Sequence, residues 1–212
     1  MRKNTLSKNF HYKNLTIELH PEVYEPAEDT FLLLESIEVK PGDKVLEIGT
    51  GCGIIALECA RLGANVICTD INPYAIALAK SNYDRNKSLI KGRFKVRKGD
   101  FFSKVKNYEK FDIIIFNPPY LPTKKNELVG GSGWFDIATN GGIDGLSLTK
   151  KFIDGLSKFL SKKGKAYFVF SSLSNTKNIS LYISKLGLKA YIVSKYSFND
   201  ETIFVYCIYY KA

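Results

Sequence analysis

The four residues from Asn117 to Tyr120 combine groups that could hold a reacting nitrogen. Asn117 ends "FDIIIFN", residues 111–117, whose apolar run predicts a strand buried on both faces, and the other three residues follow directly. Pro118 and Pro119 have no backbone N–H, and a residue that precedes a proline is driven into an extended conformation. The sequence therefore predicts a rigid turn in which the Asn117 side-chain oxygen and the Pro118 carbonyl point in one direction.

This turn suits methyl transfer to a planar –NH₂ group. Two acceptor oxygens can receive both hydrogens of that group, and the Tyr120 ring can stack on its flat face. The lone pair of an amide or aromatic amine is delocalised, so attack requires stabilisation of the positive charge that develops on the nitrogen. Positioned acceptors supply this without a general base. Asn117, Pro118, Pro119 and Tyr120 are thus the predicted catalytic residues, the alternative being a turn that only ends a strand.

A glycine-rich turn within "VLEIGTGCGIIAL", residues 45–57, predicts the cofactor site. Gly49, Gly51 and Gly53 lie between a predicted strand and a predicted helix, where glycine permits a tight turn and close approach of a ligand. The dinucleotide fingerprint requires a glycine at position 54, where this sequence has isoleucine. Glu47 disfavours a pyrophosphate and favours a ligand with an ammonium group. S-adenosylmethionine carries such a group together with a sulfonium.

Two further strand ends carry acidic residues that could hold the rest of the cofactor. Asp70 ends the second predicted strand, about 20 residues beyond the turn, where a carboxylate can accept both ribose hydroxyls. Asp100 and Phe101 end the third predicted strand and could contact the adenine amine and the adenine face. For each aspartate, a helix cap is the alternative interpretation.

The order of strands and helices predicts an α/β fold. Strands alternate with helices, which indicates a mostly parallel sheet with helices on both faces. The last two strands, "LKAYIVSKY" and "ETIFVYCIYY", are joined only by "SFND", a hairpin length that predicts one antiparallel edge strand. A first helix is predicted within residues 22–39, with Pro26 in its first turn. Ligands of such sheets bind beyond the carboxyl ends of the strands, where the residues singled out above fall.

Length and composition fit one domain with a short extension. The 212 residues divide into a predicted polar leader, residues 1–21, and a domain over residues 22–212. The first residues lack the apolar segment of a secretory signal, and no apolar run approaches the ~20 residues of a bilayer span, so we expect a cytoplasmic protein with no membrane partner. The four cysteines have no C-x-x-C spacing, which predicts buried thiols and no metal site.

The chain is basic, with a formal net charge of +10. One basic cluster contains no acidic residue and consists of Arg85, Lys87, Lys91, Arg93, Lys95, Arg97 and Lys98. Such charge is typical of a solubilising surface and would also attract nucleic acid. No signature of an RNA-binding module accompanies it, so a nucleic-acid partner is open but not favoured.

Three blocks, "VYEPAEDTFLLLESI", "LEIGTGCGIIAL" and "FNPPYLP", resemble the HemK/PrmC-type S-adenosylmethionine-dependent glutamine methyltransferases. The later "GGIDG" and "DETIFV" resemble their compact archaeal and eukaryotic branch. The resemblance runs from about Glu22 to the C-terminus and implies the seven-stranded, Rossmann-like class I methyltransferase fold. The implied methyl acceptor is the glutamine of the Gly-Gly-Gln loop in a peptide-chain release factor.

The resemblance also implies a flap over the cofactor, formed by Tyr24, Pro26, Glu28, Asp29 and Thr30, with Thr30 in direct contact. Glu47 and the glycines would hold the methionine part of the cofactor. The residues expected to bind S-adenosylmethionine are then Thr30, Glu47, Gly49, Thr50, Gly51, Gly53, Asp70, Ile71, Asp100, Phe101 and Asn117.

Relatives in the compact branch bind a small zinc-containing activator protein, which covers an apolar sheet edge near the third strand. Here that region, "GRFKVRKG" at residues 92–99, is basic, so the need for an activator is open. Two other acceptors are also open: an exocyclic base amine in RNA or DNA, and a protein lysine.

Overall fold

Strands and helices alternate as predicted in the computed structural model, which describes residues 8–120, 133–134, 147–174 and 176–211. The strands are β1 (Asn9–Tyr12), β2 (Leu15–Glu18), β3 (Lys44–Ile48), β4 (Asn65–Asp70), β5 (Arg93–Lys98), β6 (Phe111–Phe116), β7 (Leu160–Ser171), β8 (Leu188–Phe198) and β9 (Glu201–Tyr210). The helices are α1 (Glu28–Ser36), α2 (Ile54–Arg61), α3 (Pro73–Asn86), α4 (Ser147–Phe159) and α5 (Thr176–Lys185).

The main sheet has seven strands in the order β5–β4–β3–β6–β7–β9–β8. Neighbours from β5 to β7 are parallel, whereas β9 runs antiparallel to both β7 and β8. The predicted terminal hairpin and single antiparallel strand are therefore confirmed. That strand is β9, which lies one place inside the edge because it returns from β8 to pair with β7. The chain order reverses between β3 and β6, and a ligand crevice is expected at this switch point.

The core consists of two apolar layers, one on each face of the sheet. β6 contributes to both, since Ile113 and Ile115 pack into one layer while Ile114 and Phe116 pack into the other. This confirms the prediction that the run before Asn117 is a strand buried on both faces. The strand is held in place by β3 on one side and β7 on the other, so the turn that follows it has a fixed position.

Part of the predicted polar leader is a β-hairpin formed by β1 and β2, which the sequence analysis missed. Leu15 and Ile17 on β2 are fully buried in the core. Asn82 and Asn86 of α3 form hydrogen bonds with the backbone of β2 that a neighbouring strand would otherwise form. Their side-chain oxygens accept from the backbone N–H groups of Glu18 and Thr16, over 2.8 and 2.9 Å. The hairpin is therefore attached to the domain through both apolar and polar contacts.

The first helix is shorter than predicted. α1 begins after Ala27, so Pro26 lies outside the helix instead of in its first turn, and the helix ends at Ser36. Proline drives the preceding residue away from helical conformation, and the chain just before α1 is accordingly not helical. Among the described residues no helix is long and apolar enough to cross a membrane, and no group of three or more potential metal ligands occurs there.

Candidate active site

A pocket lies at the carboxyl edge of the sheet, where β3, β4, β5 and β6 end. Gly53, Pro118 and Tyr120 of the predicted site do not line it. The other predicted residues form its wall: Thr30, Glu47, Gly49, Thr50, Gly51, Asp70, Ile71, Asp100, Phe101, Asn117 and Pro119.

The glycine turn after β3 adopts a backbone shape that favours glycine. Gly49 and Gly51 have φ values of 67° and 55°, in the left-handed region. The turn brings the Gly51 N–H to 3.0 Å from Asp70 Oδ2, to which it donates. Gly53 has a packing role instead, because a Cβ at this position would lie 3.0 Å from the Cβ of Ala79 on α3. The third glycine of the turn thus allows α2 and α3 to approach each other closely.

Glu47 is a buried carboxyl group in the pocket wall, with 2 % of the residue exposed. Thr50 Oγ1 donates a hydrogen bond to Glu47 Oε2 over 2.5 Å. Loss of hydration raises the pKa of Glu47 to about 8, although the bond from Thr50 opposes this, and nearby Asp70 adds to the increase. No cation among the described residues contributes to that pKa. A buried carboxyl group without a cation, facing a pocket, fits a ligand that brings its own ammonium group.

Asp70 joins the glycine turn to the start of α3. In addition to the bond from Gly51, its Oδ1 accepts from the Asn72 N–H over 2.9 Å. Burial raises the pKa of Asp70, and the backbone donors partly offset that effect. Each carboxylate oxygen can accept a second hydrogen bond, so Asp70 can still receive the hydroxyl groups of a ribose. The helix cap before α3 is made by Asn72, whose side chain accepts from the Tyr74 N–H.

Asp100 and Phe101 lie at the other side of the pocket, and both contact Lys151 of α4. The Lys151 Nζ is 2.6 Å from Asp100 Oδ2 and 4.5 Å from the centre of the Phe101 ring. Phe101 has a φ of 46°, which costs a residue with a Cβ about 1 kcal/mol or more. Its ring packs edge-on against Phe116, 5.3 Å away, so the strained backbone fixes an aromatic wall at the predicted adenine site.

The Asn117 amide lines the pocket with a defined orientation. Its Nδ2 donates to Asp29 Oδ2 over 3.1 Å and to Thr30 Oγ1 over 3.3 Å. Its Oδ1 is buried and has no hydrogen-bond donor among the described residues. A buried carbonyl oxygen without a donor is costly and uncommon, which marks it as an acceptor for a ligand.

Asp29 connects three parts of the site. Besides Asn117, the hydroxyl groups of Tyr24 and Tyr120 donate to it, over 3.2 and 3.4 Å. Burial, and next the charge of Asp29, raises the pKa of both tyrosines, so both phenols are protonated at neutral pH. The family resemblance placed Asp29 only in a flap over the cofactor. That it contacts Asn117, 88 residues away, has no local signal in the sequence.

Other contacts of the pocket were also missed by the sequence analysis. Its lining also includes the apolar side chains of Val23, Ile54, Ile55, Trp134 and Leu148. Residues 121–132 and 135–146, which include "GGIDG", lie outside the described residues.

The strand order of the sheet, the glycine turn after β3 and the carboxylate of Asp70 at the end of β4 together define the fold as that of a class I methyltransferase. The family model described as "Methyltransferase small domain" matches residues 15–132. The chain belongs to this family and is a methyltransferase.

Several relatives are similar over most of the chain. A protein of Methanocaldococcus jannaschii named "Putative protein N5-glutamine methyltransferase" is 40% identical over 195 residues, which cover 91% of this chain and 94% of the relative. The human methyltransferase HEMK2 is 31% identical over 200 residues, with 87% and 88% covered. Among solved structures, the Mtq2–Trm112 complex of E. cuniculi matches with a TM-score of 0.69 and 22% identity, covering 90% of this chain and 99% of that one.

Proposed function

We propose that this chain transfers a methyl group from S-adenosylmethionine to the side-chain amide nitrogen of a glutamine in a peptide-chain release factor. The names of its relatives support the substrate, since they include glutamine methyltransferases and the catalytic subunit of an eRF1 methyltransferase in Schizosaccharomyces pombe. The observation that carries the proposal is that Asn117 lines the pocket while its side-chain Oδ1 is buried and has no hydrogen-bond donor among the described residues.

The residues of the pocket divide into two groups in this proposal. Glu47 holds the ammonium group of the cofactor, Asp70 holds the ribose, and Asp100 with Phe101 borders the adenine. Thr30, Thr50, Ile71 and the glycine turn complete this half. Bound there, S-adenosylmethionine supplies an electrophilic methyl group on a sulfonium.

The acceptors proposed for the two N–H groups of the glutamine amide are the Asn117 Oδ1 and the carbonyl oxygen of Pro118, a residue that follows Asn117 and does not itself line the cofactor pocket. They hold the nitrogen towards the methyl donor and stabilise the positive charge that develops on it. Pro119 keeps the backbone rigid, and the Tyr120 ring packs against the amide plane. The N–C bond forms as the C–S bond breaks, sulfur keeps the bonding electron pair, and the nitrogen then loses one proton to water.

The state of the nearby acids and bases favours a neutral acceptor. A lysine must lose a proton before it attacks. The titratable groups that hydrogen bonds connect to Asn117 are an aspartate that already accepts several hydrogen bonds and, through it, two protonated phenols. An exocyclic base amine remains the second candidate, because it presents the same planar –NH₂ to the same two oxygens, and the net charge of +10 favours nucleic acid.

The proposed partners are the release factor and a small zinc-containing activator protein, and the proposed location is the cytoplasm. The outer edge of β5 has no neighbouring strand within the described sheet, and Phe94 and Val96 on it are only half-buried. The solved E. cuniculi relative is a complex with Trm112. If such a protein adds to β5, amide hydrogen exchange along Arg93–Lys98 slows when it is present; unchanged exchange would argue against this edge.

The experiment that tests the function is methyl transfer from labelled S-adenosylmethionine, with purified release factor and total RNA offered side by side. We expect label in the release factor, located by mass spectrometry on the glutamine of its Gly-Gly-Gln loop. A release factor in which that glutamine is replaced should take up no label. Label in RNA alone would overturn the proposal in favour of the base amine.

A further inference from the structure

Asp29 is a buried carboxylate, with 4 % of the residue exposed, that accepts hydrogen bonds from residues of the active site. It forms no ion pair with any of the described residues. It lies at the start of α1 and accepts from the backbone N–H and the hydroxyl group of Thr30, over 2.6 and 3.1 Å. Burial of a charge without a cation is costly unless hydrogen bonds compensate for it. Donors from Tyr24, Thr30, Asn117 and Tyr120 supply that compensation, so the buried carboxylate and its donors form one hydrogen-bonded network.

The contacts around the Asn117 amide show what this carboxylate does. Both groups beside Nδ2 act as acceptors: Asp29 Oδ2 also accepts from the Tyr120 hydroxyl, and the Thr30 hydroxyl hydrogen is already donated to Asp29 Oδ1. If the amide turned over, its Oδ1 would face two acceptors and both hydrogen bonds would be lost. Asparagine oxygen and nitrogen are otherwise nearly the same size, so sterics alone would allow either orientation.

We propose that Asp29 is the positioning residue of the active site, which fixes the orientation of the Asn117 amide so that its oxygen always faces the acceptor nitrogen. This rests on the proposed function, in which that oxygen accepts from the glutamine amide. The charge of Asp29 has a second effect: it draws the amide hydrogen towards itself and so increases the negative charge on Oδ1. Asp29 thus acts on the transition state through Asn117 without touching the substrate.

The first test is Asp29→Asn, which keeps the size of the side chain but can donate to Asn117 Oδ1. This variant should allow the amide to turn over and present its –NH₂ to the acceptor. We expect kcat to fall roughly 10- to 100-fold, as for loss of one preorganised group, while the affinity for S-adenosylhomocysteine stays within about tenfold. The control is Glu58→Gln. Glu58 is also a buried residue with a carboxylate, 3 % exposed, but it lies on α2 and does not line the pocket, so this variant should keep the wild-type kcat.

The second test restores the arrangement by exchanging the two side chains. Asn117→Asp alone places two carboxylates about 3 Å apart, which forces one of them to take up a proton. In the double variant, which combines Asp29→Asn with Asn117→Asp, the amide now at position 29 donates to one carboxylate oxygen at position 117 and leaves the other for the acceptor. We expect the double variant to exceed Asn117→Asp in kcat by at least about tenfold, a non-additive effect that a purely structural role would not give.

A spectroscopic measurement keeps this proposal separate from the identity of the substrate. In the ligand-free chain with ¹⁵N-labelled asparagine, one proton of the Asn117 side-chain –NH₂ should resonate downfield because it is bonded to a carboxylate. The signal, assigned by its loss in Asn117→Asp, should move in Asp29→Asn and not in Glu58→Gln. A wild-type kcat in Asp29→Asn, a double variant no better than Asn117→Asp, or an unmoved signal would each overturn the proposal. Failure of the wild-type chain to label a release factor would overturn only the proposed substrate.

Discussion

The pKa of Glu47 makes cofactor binding depend on pH in a way that can be calculated. With a pKa of about 8, the carboxyl group is mostly neutral in the free chain at pH 7, whereas the proposed contact with an ammonium group requires it to be ionised. Ionisation of Glu47 costs about 1.4 kcal/mol at pH 7 and about 2.7 kcal/mol at pH 6, because each pH unit below the pKa adds about 1.4 kcal/mol. Affinity should therefore rise about tenfold per pH step between pH 5 and 7. It should level off near pH 8, where an α-amino group begins to lose its proton.

The assay is calorimetric titration with S-adenosylhomocysteine, which keeps the amino acid part of the cofactor. Repeated at pH 7 in buffers with different ionisation enthalpies, it should show close to one proton released for each molecule bound. Glu47→Gln should bind with little dependence on pH, and any slope that remains would come from Asp70, whose pKa burial also raises. Proton release by Glu47→Gln equal to that of the wild type would refute the assignment of Glu47.

The remaining predictions concern stability. Glu47 holds its proton more tightly in the folded chain than in the unfolded one, so the free energy of unfolding without ligand should fall as the pH rises from about 5 to 8. Denaturant titrations at several pH values should show this fall in the wild type and a smaller fall in Glu47→Gln. Gly53→Ala should lower the free energy of unfolding by about 2–4 kcal/mol, because backbone strain at φ 86° adds to a close contact with Ala79. Gly42→Ala should lower it by only about 1 kcal/mol, because Gly42 has a similar φ of 90° but no other atom within 4 Å of an added Cβ. Equal losses in the two glycine variants would contradict the close helix packing. Asn82→Ala should lower the free energy of unfolding by about 2–4 kcal/mol, because it leaves backbone groups of Glu18 in β2 and of Cys52 in the glycine turn unpaired. Hydrogen exchange should then be faster at the amides of β2.

Much of the fold could be predicted because the relevant signals are local. The run from Phe111 to Phe116 is apolar at nearly every position, as a strand covered on both faces must be, and the structure confirms it. The turn at Gly49 and Gly51 was predictable because its backbone shape favours glycine. The hairpin at β2 was missed because only two apolar residues, Leu15 and Ile17, alternate with polar ones, and its other partners are side chains of α3.

The candidate site was predictable at the level of strand ends and not at the level of contacts. Residue types after β3, β4, β5 and β6 identified the wall of the pocket, since carboxyl ends of parallel strands meet at one edge. The bond from Asn117 to Asp29 and the ion pair of Asp100 with Lys151 join residues 88 and 51 positions apart. No local pattern encodes such pairs, so the orientation of the Asn117 amide required the structure.

The measurement that tests the central claim most directly is the rate of methyl transfer by Asn117→Ala, with cofactor affinity measured in the same preparation. Removal of the acceptor oxygen should lower the single-turnover rate on the release factor by about 10²- to 10³-fold, while S-adenosylhomocysteine binds within about tenfold of the wild type. Asn65→Ala, which removes an amide at the opposite end of β4, should keep the full rate. A wild-type rate in Asn117→Ala would contradict the role of this oxygen in catalysis.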